Sequence, residues 1–346
     1  MNPSAEPQIA VARGIPLPPD YAVCVVNYRN YQDLDRCLAS LKSQSVGPSL
    51  VLVADCDGDP GKRAATANAH PECSIQAIAN LGYAGAANWA IGRILAGPHP
   101  PDFILLLNAD IRLAPGFAAE LVREMCARSE VVFASGKLLR PDKITIDSAG
   151  FEVGRNRRFR DRGSGEADIG QYDEIEYVVG VSGAAMMIRT RAIPGLCIDG
   201  ELFDTDFFAY HEDTDLAWRA QLLGWRSLYA PDALAIHRRG WRKENRFDVP
   251  LEVRRHSFKN FFLVIAKNDC GRHLLRDLPA ILVSEAMRFC AFVLYDPAVL
   301  PAYLLALRRL PAAIRKRRVL RSSMKPGSPE SRPRSPIPSA AWSERP

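Results

Sequence analysis

Two carboxylate clusters, one histidine and one glycine-bearing turn carry the side chains and backbone groups best suited to chemistry in this sequence. Asn108-Ala109-Asp110 follows directly on the apolar run 103–107. A carboxylate at that point projects from the edge of a sheet where doubly wound folds bind ligands. Asp110 can hold Mg2+ or Mn2+ there, hard cations that prefer oxygen and are readily shared with substrate phosphates. An Asx-turn closing the strand explains the same tripeptide. His211-Glu212-Asp213-Thr214-Asp215 opens an amphipathic segment whose apolar side carries Leu216, Trp218, Leu222 and Leu223. A carboxylate placed there can act as general base, while acidic residues also suit the positive end of any helix. His237 ends the short apolar stretch 233–236 and reads as a metal ligand or as a core histidine. Asn80-Leu81-Gly82-Tyr83-Ala84-Gly85-Ala86-Ala87-Asn88 turns into a helix whose first N–H groups can face a phosphate.

The elements that must position these groups alternate in type. Apolar runs at 21–27, 50–54, 74–79 and 103–107 predict strands. Between them, Asn30 can cap a helix with Asp33 in its first turn and Leu34, Cys37, Leu38 and Leu41 at helical spacing. Residues 84–96 suit a second helix, and Pro115 opens a third. The acidic loop Asp55-Cys56-Asp57-Gly58-Asp59 ends the second strand. Such alternation predicts an α/β fold with a doubly wound, mostly parallel sheet. Residues 144–177 are less regular: 155–162 is basic and 163–170 is loop-like, so a mobile or acceptor-facing segment is expected there. The small-residue centre Ser182-Gly183-Ala184-Ala185 leaves room for a close backbone approach. A helix over 213–223 and a strand over 225–229 follow.

Beyond His237 the composition shifts. Segments 251–266, 273–294 and 299–320 predict helices rich in Leu, Ile and Phe, punctuated by Pro279, Pro297, Pro301 and Pro311. Asp296, Pro297 and Pro301 interrupt the nearly apolar run 289–307, which argues against a clean membrane span. Arg308, Arg309, Arg315, Lys316, Arg317, Arg318 and Arg321 form a basic cluster that suits an anionic bilayer surface, or the solvated face of a helical bundle. The eight cysteines show no CxxC spacing, so buried free thiols are expected rather than zinc ligands or disulfides. Residues 1–20 contain no apolar core of signal-peptide length, and a cytosolic location is expected. The tail 326–346 is Pro- and Ser-rich and expected to be disordered.

Taken together, these segments resemble the family 2 inverting glycosyltransferases, and within them the rhamnosyltransferase-like branch. The resemblance begins at Val23-Cys24-Val25-Val26-Asn27-Tyr28-Arg29 and passes through Asn80 to Asn88 and Asn108-Ala109-Asp110. It continues through Ser182-Gly183-Ala184-Ala185 and Phe203 to Arg219, and closes on Ala230-Pro231-Asp232-Ala233 before His237. It implies a GT-A fold, a doubly wound mixed sheet over residues 21–240, followed by a basic and apolar helical extension over 241–325. It further implies Asp213 as base with Glu212 and Asp215 beside it, and a metal on Asp110 and His237. Asn27, Tyr28, Asp55, Asn80, Gly82, Asn88, Asn108 and Trp218 fall on substrate-binding positions. Two departures stand out: Asn108 replaces the first Asp of the family's DxD-like motif, and Ala54-Asp55-Cys56-Asp57-Gly58-Asp59 fits the second-strand loop only in part.

The implied reaction is sugar transfer from a nucleotide diphosphate donor, dTDP-rhamnose by the branch, to a hydroxyl of a saccharide or lipid-linked saccharide. That places the protein in cell-surface polysaccharide synthesis, peripherally bound to the inner face of the plasma membrane. A degenerate, non-catalytic nucleotide-sugar-binding or scaffold relative is the alternative, against which the intact Glu212-Asp213 pair stands. A dinucleotide oxidoreductase is disfavoured because no GxGxxG follows the first strand. Nucleic-acid binding is disfavoured because the basic C-terminus accompanies leucines rather than stacking aromatics.

Overall fold

The computed structural model describes residues 19–239, 247, 249–269 and 271–324. The expected disordered ends lie outside them, apart from Pro19 and Asp20, as do residues 240–246 and Cys270.

In chain order the elements are β1 (Tyr21–Tyr28), α1 (Tyr31–Lys42), β2 (Leu50–Cys56), α2 (Pro60–Ala69), β3 (Ser74–Ile78), α3 (Gly82–Leu95), β4 (Phe103–Asn108), β5 (Ile111–Leu113) and α4 (Phe117–Ala127). They continue with β6 (Val131–Leu139), β7 (Ile146–Ser148), β8 (Phe151–Val153), β9 (Phe159–Asp161), β10 (Glu176–Val178), β11 (Ala185–Arg189), α5 (Ile193–Leu196), α6 (Glu212–Leu222) and β12 (Arg226–His237). Three long helices close the described chain, α7 (Leu251–Asn268), α8 (Gly271–Tyr295) and α9 (Ala302–Ser322).

The main sheet runs β10-β12-β6-β11-β4-β1-β2-β3, with β5 on β12 and β7 on β6. Strands β1 to β4 are mutually parallel where they pair, whereas β11 inserts antiparallel between β4 and β6. The sheet is therefore mixed, with helices on both faces. Side-chain alternation along each strand feeds two cores. Val23, Val25, Leu105 and Leu107 join one cluster with α1 and α4. Ala22, Cys24, Ile104 and Leu106 join the other with α3 and α6. Each fully buried Val, Leu or Ile among them is worth about 1.5–3 kcal/mol.

Register aligns the functional ends. Val26 lies beside Asn108, Asn27 beside Asp55, and His237 beside Ile111, the residue after Asp110. Asn30 caps α1 as its position predicts, accepting from the Asp33 N–H. Helix α4 starts at Phe117 with Gly116 as its cap, two residues after the expected Pro115. Pro279 and Pro311 lie inside α8 and α9 rather than ending them.

The basic stretch 155–162 is pinned by ion pairs, which corrects the expectation of a mobile segment. Arg155 and Arg157 pair with Asp277, Arg157 also with Asp269, and Arg158 with Glu285. These contacts tie the β8–β9 hairpin to α8. Among the described residues seven cysteines are free; Cys126 and Cys290 are exposed, unlike the buried thiols expected.

By length and composition, Leu274–Tyr295 and Pro297–Ser322 could each cross a membrane, with mean hydropathy of 1.6 and 1.2. Leu275, Leu282, Met287, Leu294, Leu304 and Leu307 all point outward. Arg308, Arg309, Arg315, Arg318 and Arg321 are exposed on α9, while Lys316 turns into the interior.

Candidate active site

Asp213 sits in the first turn of α6, and backbone N–H groups hold its carboxylate. Oδ2 accepts from Gly183 at 3.0 Å and Oδ1 from Thr214 at 2.8 Å. The close approach expected at the small-residue centre is thus made by Asp213. A Cβ on Gly183 would lie 3.4 Å from Asp213 Oδ2 and 3.5 Å from the Tyr83 hydroxyl. That hydroxyl donates to the Gly183 carbonyl at 2.7 Å, and the Ala184 carbonyl accepts from the Asn108 N–H at 2.9 Å. One short loop therefore links the carboxylate of α6 to the end of β4.

Burial pushes Asp213 up to about 6, against the two N–H donors that favour its charge, with Asp161 adding repulsion. Glu212 is raised well above the ordinary carboxylate range, first by burial and then by Asp213. Its Oε2 is buried without a hydrogen-bond partner. Burial, together with the charges of Glu212, Asp213 and Asp110, raises the Tyr83 phenol as well, so all three carboxylates act on one ring.

Asp110 follows β4, and its Oδ1 lies 3.4 Å from Nε2 of His237 at the end of β12. The other imidazole nitrogen, Nδ1, is 2.7 Å from Oδ2 of Asp147, a carboxylate with no exposure on β7. Burial alone would raise Asp147, but His237 and Arg239 hold it below the usual range. Burial also opposes charge on His237, yet hydrogen bonds to Asp110 and Asp147 outweigh it and push the ring up to about 9. Arg239 bridges Asp147 at 2.9 Å and Asp161 at 2.7 Å.

This donor set suits a divalent cation. A buried carboxylate on Nδ1 fixes the ring and turns Nε2 toward Asp110, the arrangement that orients a ligating imidazole. Among the described residues no three His, Cys, Asp or Glu side chains converge as a metal cage. A cation shared with substrate phosphates is commonly held by only one or two protein ligands.

The remaining predicted residues divide. Asn27 donates to Asp55 Oδ1 at 2.8 Å, and Asp55 Oδ2 accepts from Tyr31 at 2.7 Å and Arg63 at 3.4 Å. Both are fully buried and occupied with these neighbours. The exposed rim beside them consists of Tyr28, Arg29 stacked over its ring at 5.2 Å, and Asp57, which lies 3.8 Å from the Arg29 guanidinium. Asn80 accepts from the Gly82 N–H at 3.1 Å and shapes the turn. The first N–H groups of α3 are not all available to a phosphate, because Ala84 donates to the Phe208 carbonyl at 3.2 Å. Gly82 is required there: its φ is +70°, and a Cβ would lie 2.4 Å from the same carbonyl.

Asn88, Asp215 and Trp218 face the interior. Asn88 clasps both backbone groups of Phe203, at 2.6 and 2.9 Å. Asp215 pairs with Lys267 at 2.8 Å and Arg219 at 3.2 Å and accepts from Asn268 at 2.7 Å. Trp218 packs with Phe159 and Leu263. Sequence reasoning missed Asp147, Tyr83, Asp161 and Arg239. The one available signal was the Asp in Ile146-Asp147-Ser148-Ala149, a carboxylate inside an otherwise apolar and small stretch.

The sequence profile of glycosyl transferase family group 2 matches residues 103–255. An N-acetylglucosaminyl-diphospho-decaprenol L-rhamnosyltransferase of Mycobacterium tuberculosis is 30% identical over 241 residues, 62% of this chain and 75% of that protein. Among solved structures, the mannosyltransferase PcManGT from Pyrobaculum calidifontis, in complex with GDP-Man and Mn2+, superposes with a TM-score of 0.52 at 16% identity. That match covers 88% of this chain and 86% of PcManGT. TarS of S. aureus gives 0.55 at 15% identity over 88% of this chain, which spans about half (52%) of the TarS chain. At these identities the structural likeness establishes the fold, the GT-A arrangement.

Proposed function

The chain belongs to the family 2 glycosyltransferases, and from that premise we propose that it is an inverting enzyme with Asp213 as its base. In this reading Asp213 takes the proton of the acceptor hydroxyl as that oxygen attacks the anomeric carbon of a nucleotide diphosphate sugar. The bond to the diphosphate breaks on the opposite side, and the nucleoside diphosphate departs. Asp110 and His237 would hold a divalent cation, Mg2+ or Mn2+, which when bound would offset the charge on that leaving group. Asp147 keeps His237 oriented for the task. Tyr28, Arg29 and Asp57 form the exposed rim on which we place the nucleoside.

The observation that carries this reading is the suspension of Asp213 between the N–H groups of Gly183 and Thr214, in a buried setting that raises its basicity. A carboxylate so held is fixed in direction and poised near neutral pH, as a general base requires.

The donor we favour is dTDP-rhamnose, and the acceptor a saccharide carried on a polyprenyl diphosphate, in keeping with the name of the mycobacterial relative. A lipid-linked acceptor has to be met at a bilayer. The outward leucines of α8 and α9, flanked by exposed arginines, suit peripheral attachment to the inner, anionic leaflet. The domain division follows the same lines, with residues 21–240 as the catalytic part and 241–325 as the membrane-facing part.

The test is a panel of nucleotide sugars with purified protein, with and without Mn2+ or Mg2+, following thermal shift and nucleoside diphosphate release. Selective, metal-dependent stabilisation and turnover with dTDP-rhamnose supports the whole reading. Turnover with a UDP- or GDP-sugar alone would replace the donor and leave the base in place. No response to any donor would favour a non-catalytic relative.

A further inference from the structure

The segment that delivers Glu212 and Asp213 into the site is strained. Phe208, Tyr210 and His211 have φ values of +65°, +67° and +70°. None of them is glycine, and side chains rarely adopt this left-handed region. Such a conformation persists only where its surroundings over-determine it. Hydrogen bonds within the loop do little, since the principal local ones are Phe208 N–H to Thr205 and Ala209 N–H to Phe207. The restraint comes from two other elements: the Ala84 N–H of α3 donates to the Phe208 carbonyl at 3.2 Å, and α7, more than forty residues further along the chain, holds the carbonyls on either side.

Asn260 on α7 has no exposure, and its Nδ2 lies within hydrogen-bond distance of three carbonyls of that loop, Phe207 at 2.8 Å, Ala209 at 3.0 Å and Tyr210 at 2.7 Å, which share its two hydrogens. Three carbonyl oxygens around one terminal atom identify it as the amide nitrogen, because an oxygen there would meet only acceptors. Among the described residues its own Oδ1 is buried without a partner. A buried acceptor left unmade costs free energy, and the contacts of the nitrogen offset that cost. Neighbours on the same helix reinforce the clamp. Lys259 Nζ donates to the Asp206 carbonyl, and His256 stacks on Phe208 with ring centroids 4.9 Å apart.

We propose that Asn260 is a positioning residue for the transfer reaction: it holds the Phe207 to Tyr210 carbonyls and thereby sets where Asp213 stands. The loop leads directly into α6, where the His211 carbonyl accepts from the Asp215 N–H at 2.9 Å and from the Thr214 hydroxyl at 3.0 Å. Releasing the three carbonyls lets the loop relax toward ordinary φ values and rotates the first turn of α6. The Asp213 carboxylate then slips from the Gly183 N–H. A displacement of 1 Å at a reacting group can cost about 10²-fold in rate. The inference rests on the reading of Asp213 as base and names what keeps it in place.

The experiment uses the full chain carrying Asn260→Ala, with Asn260→Ser, which retains one short donor, as the gentler variant should the alanine chain fail to fold. Hydrogen–deuterium exchange gives a readout that needs no known substrate. Amides over 207–214 should exchange at least tenfold faster, and Ala84, whose N–H is bonded to the Phe208 carbonyl, should follow them, while those of β4 and the rest of α3 keep their wild-type protection. With a donor that turns over, kcat should fall about 10- to 10²-fold with donor KM unchanged. Wild-type exchange over 207–214 in a folded variant overturns the proposal, as does an unchanged kcat. Loss of protection throughout the sheet would also overturn it, because Asn260 would then be a general packing residue. Asp213→Asn separates the two readings. If that variant is inactive while Asn260→Ala is normal, the positioning role falls and the base stands. If Asp213→Asn stays active, the base itself is wrong.

Discussion

Nδ1 of His237 lies 2.7 Å from Oδ2 of Asp147, although the two residues are 90 positions apart in the chain. The carboxylate is fully buried on β7, and the histidine ends β12, on the far side of β6. The pair fixes which imidazole nitrogen meets Asp110.

That relationship predicts the effect of Asp147→Asn. The amide can still accept from Nδ1 but no longer raises the basicity of the ring, so Mn2+ affinity should fall about 10- to 100-fold. Titration of the metal by thermal shift, in the presence of a nucleoside diphosphate, measures it. Equal affinity in variant and wild type would remove Asp147 from the metal site.

Asp213→Asn should lower kcat by about 10²–10⁴-fold with donor affinity retained, since only the proton acceptor is lost. The wild-type pH profile carries the sign. Burial pushes Asp213 up to about 6, and the base works only when ionised. Activity should therefore fall as pH drops through about 6 and level off above it. An acid limb near the ordinary aspartate value would show that the catalytic carboxylate is a solvated one.

Lys267 pairs at 2.8 Å with both Asp204 and Asp215, and all three are buried. Lys267→Met would remove the cation shared by the two carboxylates and leave Asp204 with Lys316 and Asp215 with Arg219, at a cost of up to about 3–5 kcal/mol. Urea unfolding at pH 7 reads this out. Burial opposes ionisation of Asp204, but Lys267 and Lys316 hold it well below its usual value of 3.8. The stabilisation is thus present above pH ~4 and is lost as pH falls further. The variant should lose most of that acid dependence.

Replacing Leu282, Met287 and Leu294 together by Asp should abolish co-flotation with vesicles containing phosphatidylglycerol. Each of these exposed side chains is worth about 1.5–3 kcal/mol on entering an apolar phase. Turnover of a water-soluble acceptor should remain, because none of the three touches the site. Binding that survives the triple change would move the attachment surface elsewhere.

The central strands were legible because β1, β2 and β4 are short unbroken apolar runs, and α1 announces itself through Asn30 and Asp33. Residues 144–177 were not, since strands of three residues such as β7 and β9 carry too few positions to show a period. The motif around Asp213 was legible as the start of a helix, but grouping Asp215 with it ignored helix geometry. Two residues along a helix means a turn of about 200°, so the two carboxylates point to opposite sides. One reaches Gly183 and the other Lys267. Asn88 and Trp218 were assigned to substrate from their place in a motif, yet their partners, Phe203 and the α7 face, come from distant chain that spacing does not reveal.

The contact between Lys316 and Asp204 joins residues 112 positions apart. During synthesis Asp204, Asp215 and the loop leading to Asp213 leave the ribosome long before α7 and α9 do. Until those helices arrive, Asp204 lacks both its lysines, Asp215 has only Arg219 of its own helix, and the strained loop lacks Asn260. The sheet can form early, as domains do on a growing chain, but the site can only be completed last. A nascent chain of this build therefore completes the surroundings of Asp204 and Asp215 only when its last two helices with a partner in them, α7 and α9, have been made.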